Sequence, residues 1–225
     1  MPENLGEIPI KIGDQYRKLR KEGQVFDKPD IKDLVERFGA EYIGAGCDCV
    51  VIGTKDKPEK VVAINYRDLS PELAKQIFYR QRILSTLFPH NFPHFYASIA
   101  GKDNYGGTVR QRINGNSLGK IEGKGIISDP EGKVKYPFEK VIEVCRQIGI
   151  PLSVDTQDDK NFVLGEDGGV YYLDSPEEAF PGKWDEVKIT EYMENAHDET
   201  GEIAYDENDR IIVGKSLKRI QDLKR

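Results

Sequence analysis

The stretch EYIGAGCDCVVIGTKDKPEKVVAINY, residues 41–66, decides the fold because it holds three short apolar runs that contain β-branched residues. Such runs favour strands over a helix. Glycines separate the first run from the second, and the polar segment TKDKPEK separates the second from the third. The sequence therefore predicts three strands, joined first by a glycine-bearing loop and then by a polar connection.

Outside this stretch, helical and strand patterns alternate along the chain. Upstream, PDIKDLVERFG predicts a helix that ends at Gly39. Downstream, Ser70 as N-cap and Pro71 at the first helical position begin a helix that extends to Leu87. Strands are predicted in PHNFPHFYASIA and GGTVRQRING, a helix in YPFEKVIEVCRQIGI, and hairpins in KNFVLGEDGGVYYLD and EIAYDENDRIIV, followed by a terminal helix. The predicted fold class is α+β.

Composition indicates an ordinary globular protein of one or two lobes. The chain has 225 residues, of which 38% are hydrophobic and 32% are charged. Its net charge of −6 argues against nucleic acid as a partner, because phosphate binding needs a basic face. No run approaches the roughly 18 apolar residues of a membrane span, and the N-terminus lacks the apolar centre of a signal peptide. With three cysteines, an odd number, we expect a cytoplasmic protein with no membrane partner.

The order of these elements resembles the protein kinase-like fold between about Glu41 and Ser175. A glycine loop lies between two strands, and a third strand, a helix and two more strands follow. After a linker come a helix and a hairpin that is bounded by Asn and Asp. The resemblance implies two lobes, a small antiparallel-sheet N-lobe over residues 41–113 and a reduced helical C-lobe over residues 114–225. Residues 1–40 then form an N-terminal helical extension.

Three motifs of the first lobe imply a nucleotide site. GAGCDCVV is similar to the kinase glycine loop, VVAIN resembles the V-A-I-K strand, and VRQRINGNSL resembles the hinge, whose backbone would meet adenine. Glycine matters in such a loop because it lets backbone N–H groups approach phosphates closely. The resemblance implies ATP as cofactor and nucleotide contacts at Gly44, Gly46, Val51, Ala63, Asn65, Gln111 and Ile113.

The hairpin NFVLGEDGGVYYLD carries the implied metal ligands, Asn161 at its start and Asp174 at its end. In kinases an Asn and an Asp at these places hold magnesium against the nucleotide phosphates. One carboxylate and one amide are hard oxygen ligands of the kind that Mg²⁺ takes. The catalytic aspartate of the family would stand five residues before Asn161, where this chain has Thr156, so Asp155 and Asp158 are the candidate bases. Asn and Asp are also common turn residues, and this alternative stays open.

Two departures from the family pattern limit the expected chemistry. Asn65 stands where the family has its phosphate-pairing lysine, and Arg80 where it has the partner glutamate. Arg67 is a candidate substitute, because side chains alternate along a strand and Arg67 would share the face of Asn65.

Three functions are therefore open. The first is an atypical ATP/Mg²⁺-binding protein that acts as a slow or specialised phosphotransferase. The second is a pseudokinase that serves as a binding or regulatory module, and the third is an α+β interaction protein without a nucleotide site. No A-P-E-like segment follows Asp174 in the usual setting, so an acceptor substrate need not be a protein.

Overall fold

The computed structural model describes residues 7–21, 28–45, 49–53, 57–65, 71–100, 106–118, 133–152, 161–173, 183–198 and 203–223. Over these residues the chain is α+β, which confirms the predicted class. The six helices of this part are α1 (Glu7–Lys21), α2 (Lys28–Arg37), α3 (Pro71–Leu87), α4 (Phe138–Gln147), α5 (Glu186–Asn195) and α6 (Glu207–Asp222). Its strands are β1 (Glu41–Ala45), β2 (Cys49–Gly53), β3 (Lys60–Asn65), β4 (Phe95–Ala100), β5 (Gly106–Gln111), β6 (Gly115–Ser117), β7 (Phe162–Gly165) and β8 (Val170–Tyr172).

The chain divides into two compact units. Unit 1 comprises Met1–Phe78 and Phe95–Arg112, and unit 2 comprises Tyr79–His94 and Ile113–Arg225. Helix α3 contributes its first half to unit 1 and its second half to unit 2. The lobe boundaries expected from the sequence stay a prediction.

Unit 1 is an antiparallel sheet of strand order β1-β2-β3-β5-β4, covered on one face by α1 and α2. Strand alternation puts Val50, Ile52, Val62 and Ile64 on that face. They form one apolar cluster with residues of the two helices, among them Leu34. The first two helices of the chain therefore build the core of unit 1 together with the sheet.

Unit 2 packs the second half of α3 together with α4, α5 and α6 around a three-stranded sheet of order β6-β7-β8. Its centre is a group of buried aromatic rings, in which Phe138 lies 5.6 Å from Phe92, 5.1 Å from Phe162 and 6.0 Å from Tyr172 between ring centroids. Tilted and edge-on rings at such distances are favourable beyond their burial. The aromatic cluster thus fixes the β7–β8 hairpin, whose prediction is confirmed, to α4.

The hairpin predicted in EIAYDENDRIIV is wrong, because this segment begins helix α6. The side chain of Asp206 accepts a hydrogen bond from the N–H of Asp209, and the Asp209 side chain accepts one from the N–H of Asp206. This capping box starts a helix, although the same residues are typical of turns. Val213, Leu217 and Ile220 then recur at helical spacing on its buried face.

Two short elements were not predicted from the sequence. Helix α5 begins after Asp185, whose side chain accepts a hydrogen bond from Lys188, and it buries Ile189 and Met193. Strand β6 has only three residues and pairs with β7. Among the described residues, no helix combines the length and the apolar character that crossing a membrane requires.

Candidate functional site

The strand register of unit 1 aligns three of the predicted nucleotide contacts. Gly44 pairs with Val51, Val51 with Ala63, and Ala63 with Thr108. Directly paired residues of antiparallel strands project from the same face of a sheet. Gly44, Val51, Ala63 and Thr108 therefore form one row on the face opposite to the one that α1 and α2 cover. We call these four residues the sheet row.

Glycine is not required at position 44 by the surrounding structure. Its backbone is not in the left-handed region, and no described atom lies within 4 Å of the place that a Cβ would take. Gly107 on β5 differs, because a Cβ there would lie 2.8 Å from the carbonyl oxygen of Ala63. Among described residues, the space beside Gly44 is open, which is what close approach of a ligand to the backbone at this position needs, whereas Ala63 and Thr108 of the sheet row are buried.

The predicted hinge begins within the last residues of β5, which ends at Gln111. The N–H of Arg112 donates to the carbonyl of Glu59 at 2.9 Å, so it points toward β3, and Gln111 is paired with Lys60. Backbone groups alternate in direction along an antiparallel strand, so those of Gln111 point to the other edge of β5. The guanidinium of Arg112 holds Glu41 with two hydrogen bonds of 2.9 and 3.0 Å. This bidentate pair fixes the hinge to β1.

In unit 2, the hairpin brings the start of β7 next to the end of β8. The N–H of Leu173 donates to the carbonyl of Asn161 at 2.8 Å, directly before the pairing of Phe162 with Tyr172. Asn161 is half-buried, and its side-chain amide makes no hydrogen bond to another described residue.

The outer edge of β8 is paired with one buried residue, Asn91. Its side-chain amide donates to the carbonyls of Val170 at 3.1 Å and Tyr136 at 2.9 Å, and its backbone carbonyl accepts from the N–H of Tyr172 at 2.9 Å. Asn91 thus pairs with the edge of β8 as a further strand would. It holds the strand that runs toward Asp174.

Arg80 is buried in unit 2, where its guanidinium carbon lies 5.9 Å from the ring centroid of Trp184, the only tryptophan of the chain. Burial lowers the pKa of Arg80 below its usual value. A guanidinium over an indole face makes a cation–π contact. Arg80 therefore packs in the core of unit 2, a contact that the sequence did not indicate.

Several predicted residues lie outside the described part of the chain: Gly46, Arg67, Asp155, Asp158 and Asp174. The side chain of Asn65 is likewise not described, while its backbone pairs with Cys49. Convergence of Asn161 with Asp174 stays a prediction. In the ranges that are described, no three side chains of His, Cys, Asp or Glu are grouped to hold a metal ion.

Comparisons with other proteins did not identify a relative. No model of a known protein family matches this chain, and no curated protein matches its sequence.

Proposed function

We propose that this protein is an atypical kinase-like protein that binds ATP with Mg²⁺ and transfers phosphate slowly. In this proposal unit 1 corresponds to the N-lobe and unit 2 to the reduced C-lobe of a protein kinase-like fold. The nucleotide base lies against Val51 and Ala63 of the sheet row, and its phosphates lie near the glycine loop that Gly44 begins.

The observation that supports the proposal most is the register of the five-stranded sheet. Gly44, Val51 and Ala63 come from two motifs separated by a polar connection, and pairing puts them in one row. A register shifted by one residue would send Ala63 to the face that α1 and α2 cover. The order β1-β2-β3-β5-β4, with a helix between β3 and β4, further agrees with the resemblance seen in the sequence.

The hairpin supports the metal part of the proposal. Asn161 has a half-buried amide at the start of β7. Leu173, the residue before Asp174 in the sequence, donates its N–H to the backbone carbonyl of Asn161. An amide oxygen and a carboxylate suit Mg²⁺, which supplies charge neutralisation to the phosphates when bound.

The missing lysine and glutamate support slow rather than fast transfer. Loss of one cationic contact to a transferring phosphate typically costs a few kcal/mol, or about two to three decades in rate. Arg80 makes its cation–π contact with Trp184 in unit 2. Asp155 or Asp158 would orient the acceptor hydroxyl.

Complete loss of transfer, with a retained nucleotide site, is the second candidate. It is favoured by the same burial of Arg80, because a buried arginine paired with an indole does not replace the family's glutamate.

A thermal-shift screen with ATP, GTP and ADP, each with and without Mg²⁺, tests the proposal. We expect stabilisation by a nucleotide that requires Mg²⁺ in the unmodified protein. The variant Gly44→Ala should melt at the same temperature without nucleotide, since nothing described lies within 4 Å of its Cβ, yet lose most of the nucleotide shift. Absence of any shift with all three nucleotides would favour an interaction protein without a nucleotide site.

A further inference from the structure

A bidentate ion pair lies at one end of the five-stranded sheet of unit 1. The guanidinium of Arg112 donates to both oxygens of the Glu41 carboxylate, at 2.9 and 3.0 Å. Arg112 follows β5 and Glu41 begins β1, so the pair reaches across β2 and β3, which lie between those strands. Two parallel hydrogen bonds fix the orientation of both groups as well as their distance. We call Glu41 and Arg112 the clasp.

The clasp carboxylate and the sheet row share one face of the sheet. Glu41 pairs with Gly53, and Gly44 of the sheet row pairs with Val51. Gly53 and Val51 are two positions apart on β2, so they face the same way, and the residues paired with them do too. The carboxylate that Arg112 binds therefore borders the face on which the proposed nucleotide base lies.

Gly53 leaves the room that the Glu41 side chain takes. A Cβ at position 53 would lie 2.7 Å from Oε2 of Glu41, the oxygen that accepts from Nη1 of Arg112. The carboxylate thus reaches Arg112 by lying over the bare backbone of β2. Because the atom nearest to that Cβ ends a flexible side chain, Gly53→Ala should fold normally but push the carboxylate away from Arg112.

The backbone of Arg112 is held as well. Its N–H donates to the carbonyl of Glu59, directly before β3, at 2.9 Å. Arg112 stands between Gln111 and Ile113, the two hinge residues at which base contacts are predicted. The middle residue of the predicted hinge is therefore fixed to β1 through its side chain and to the start of β3 through its backbone.

We propose that the clasp positions the predicted hinge for the nucleotide base, and that Gly53 is the residue that permits it. This inference rests on the proposed function, because it assigns the clasp to the base-binding part of that site. The role concerns the base and not the phosphates, since Glu41 neutralises the guanidinium that could otherwise attract them. The side chains of Arg112 and Glu41 are 29% and 43% exposed, and ion pairs of such exposure change an equilibrium by up to about five-fold.

Calorimetry with MgATP tests this role on the variants Glu41→Gln, Gly53→Ala and Arg112→Gln. Each should raise the dissociation constant about two- to five-fold, because the hinge is correctly placed in a smaller fraction of the molecules. Arg112→Lys keeps the charge without the two-pronged contact, so it should recover only part of the affinity. Glu36→Gln is the matched control, because it breaks the exposed ion pair with Lys32 on α2 and should leave the dissociation constant unchanged.

Magnesium tripolyphosphate separates positioning of the base from a general defect of unit 1. It carries the phosphates of ATP without the base, so the clasp variants should bind it as the unmodified protein does. Equal weakening of MgATP and magnesium tripolyphosphate would show a merely structural role and overturn the proposal.

Amide hydrogen exchange without nucleotide measures the clasp itself. Protection of the Arg112 N–H should fall about two- to five-fold in Glu41→Gln and in Gly53→Ala. If the unmodified protein binds MgATP and the folded clasp variants bind it equally well, the positioning role is overturned and the proposed function stands. If the unmodified protein does not bind MgATP, both are overturned, whatever the exchange shows.

Discussion

Replacing Asn91 by Ala should destabilise unit 2 more than any exposed asparagine does. The change removes two hydrogen bonds, to the carbonyls of Val170 and Tyr136, and leaves the buried Val170 carbonyl without its donor. Losing the bond to Tyr136 costs about 0.5–1.5 kcal/mol, and leaving the buried Val170 acceptor unsatisfied costs about 1–3 kcal/mol. The expected loss in the free energy of unfolding is therefore about 1.5–4.5 kcal/mol, which for a chain of this size lowers the melting temperature by roughly 3–18 °C.

Chemical denaturation of the variant and of two companions measures this loss. Asn91→Asp keeps the size of the side chain but turns a carboxylate oxygen toward two carbonyls, so it should be at least as destabilising as Asn91→Ala. Asn195→Ala is the matched control, because the Asn195 amide also donates to a backbone carbonyl but is exposed. The Asn195→Ala change should lower the free energy of unfolding by less than about 0.5 kcal/mol. An Asn91→Ala protein as stable as this control would refute the assignment of Asn91 as the partner of the β8 edge.

Three further changes test other parts of the account. Leu34→Ala should lower the free energy of unfolding by about 2–5 kcal/mol, because Leu34 is buried between α2 and the sheet. Lys32→Ala, on the exposed face of α2, serves as its control in the same denaturation assay. Gly107→Ala should lower the free energy of unfolding by about 1–3 kcal/mol in the same assay, because the added Cβ would clash with the Ala63 carbonyl oxygen at 2.8 Å. Burial alone would raise the pKa of Asp167, but hydrogen bonds from His90, Tyr171 and Gly169 lower it, so the carboxylate stabilises the fold at neutral pH. This stabilisation should be lost as pH falls through that lowered pKa. In Asp167→Asn, the free energy of unfolding should therefore fall less steeply as the solution is acidified.

Those parts of the fold that local patterns determine could be predicted from the sequence. The run that begins at Pro71 has a proline start and a helical period, and the GEDGG turn lies between two apolar runs, so α3 and the β7–β8 hairpin were both predicted. The segment around Asp206 was predicted as a hairpin but begins helix α6, because Asp and Asn are favoured at helix N-caps as well as in turns. Strand β6 has three residues, which is too short for a periodic signal.

The candidate site could be predicted only as a set of motifs. Gly44, Val51 and Ala63 were chosen by position in their motifs, but their alignment in the sheet row depends on register, which pairing determines. Asn91 meets Val170 from 79 positions away, and no local pattern indicates such a contact. Arg80 was predicted only to stand where kinases have the partner glutamate, and no local pattern indicates its contact with the distant Trp184.

Titration calorimetry of ATP into the unmodified protein, with and without Mg²⁺, tests the central claim most directly. We expect binding that requires Mg²⁺, with a dissociation constant on the order of 0.1–1 mM, because the proposed site has two oxygen ligands for the metal but no phosphate-pairing lysine. Asp174→Ala should abolish the dependence on Mg²⁺, since this carboxylate is the anionic ligand of the proposed site. Equal binding with and without Mg²⁺, or a variant that keeps the full dependence, would contradict the proposed metal site.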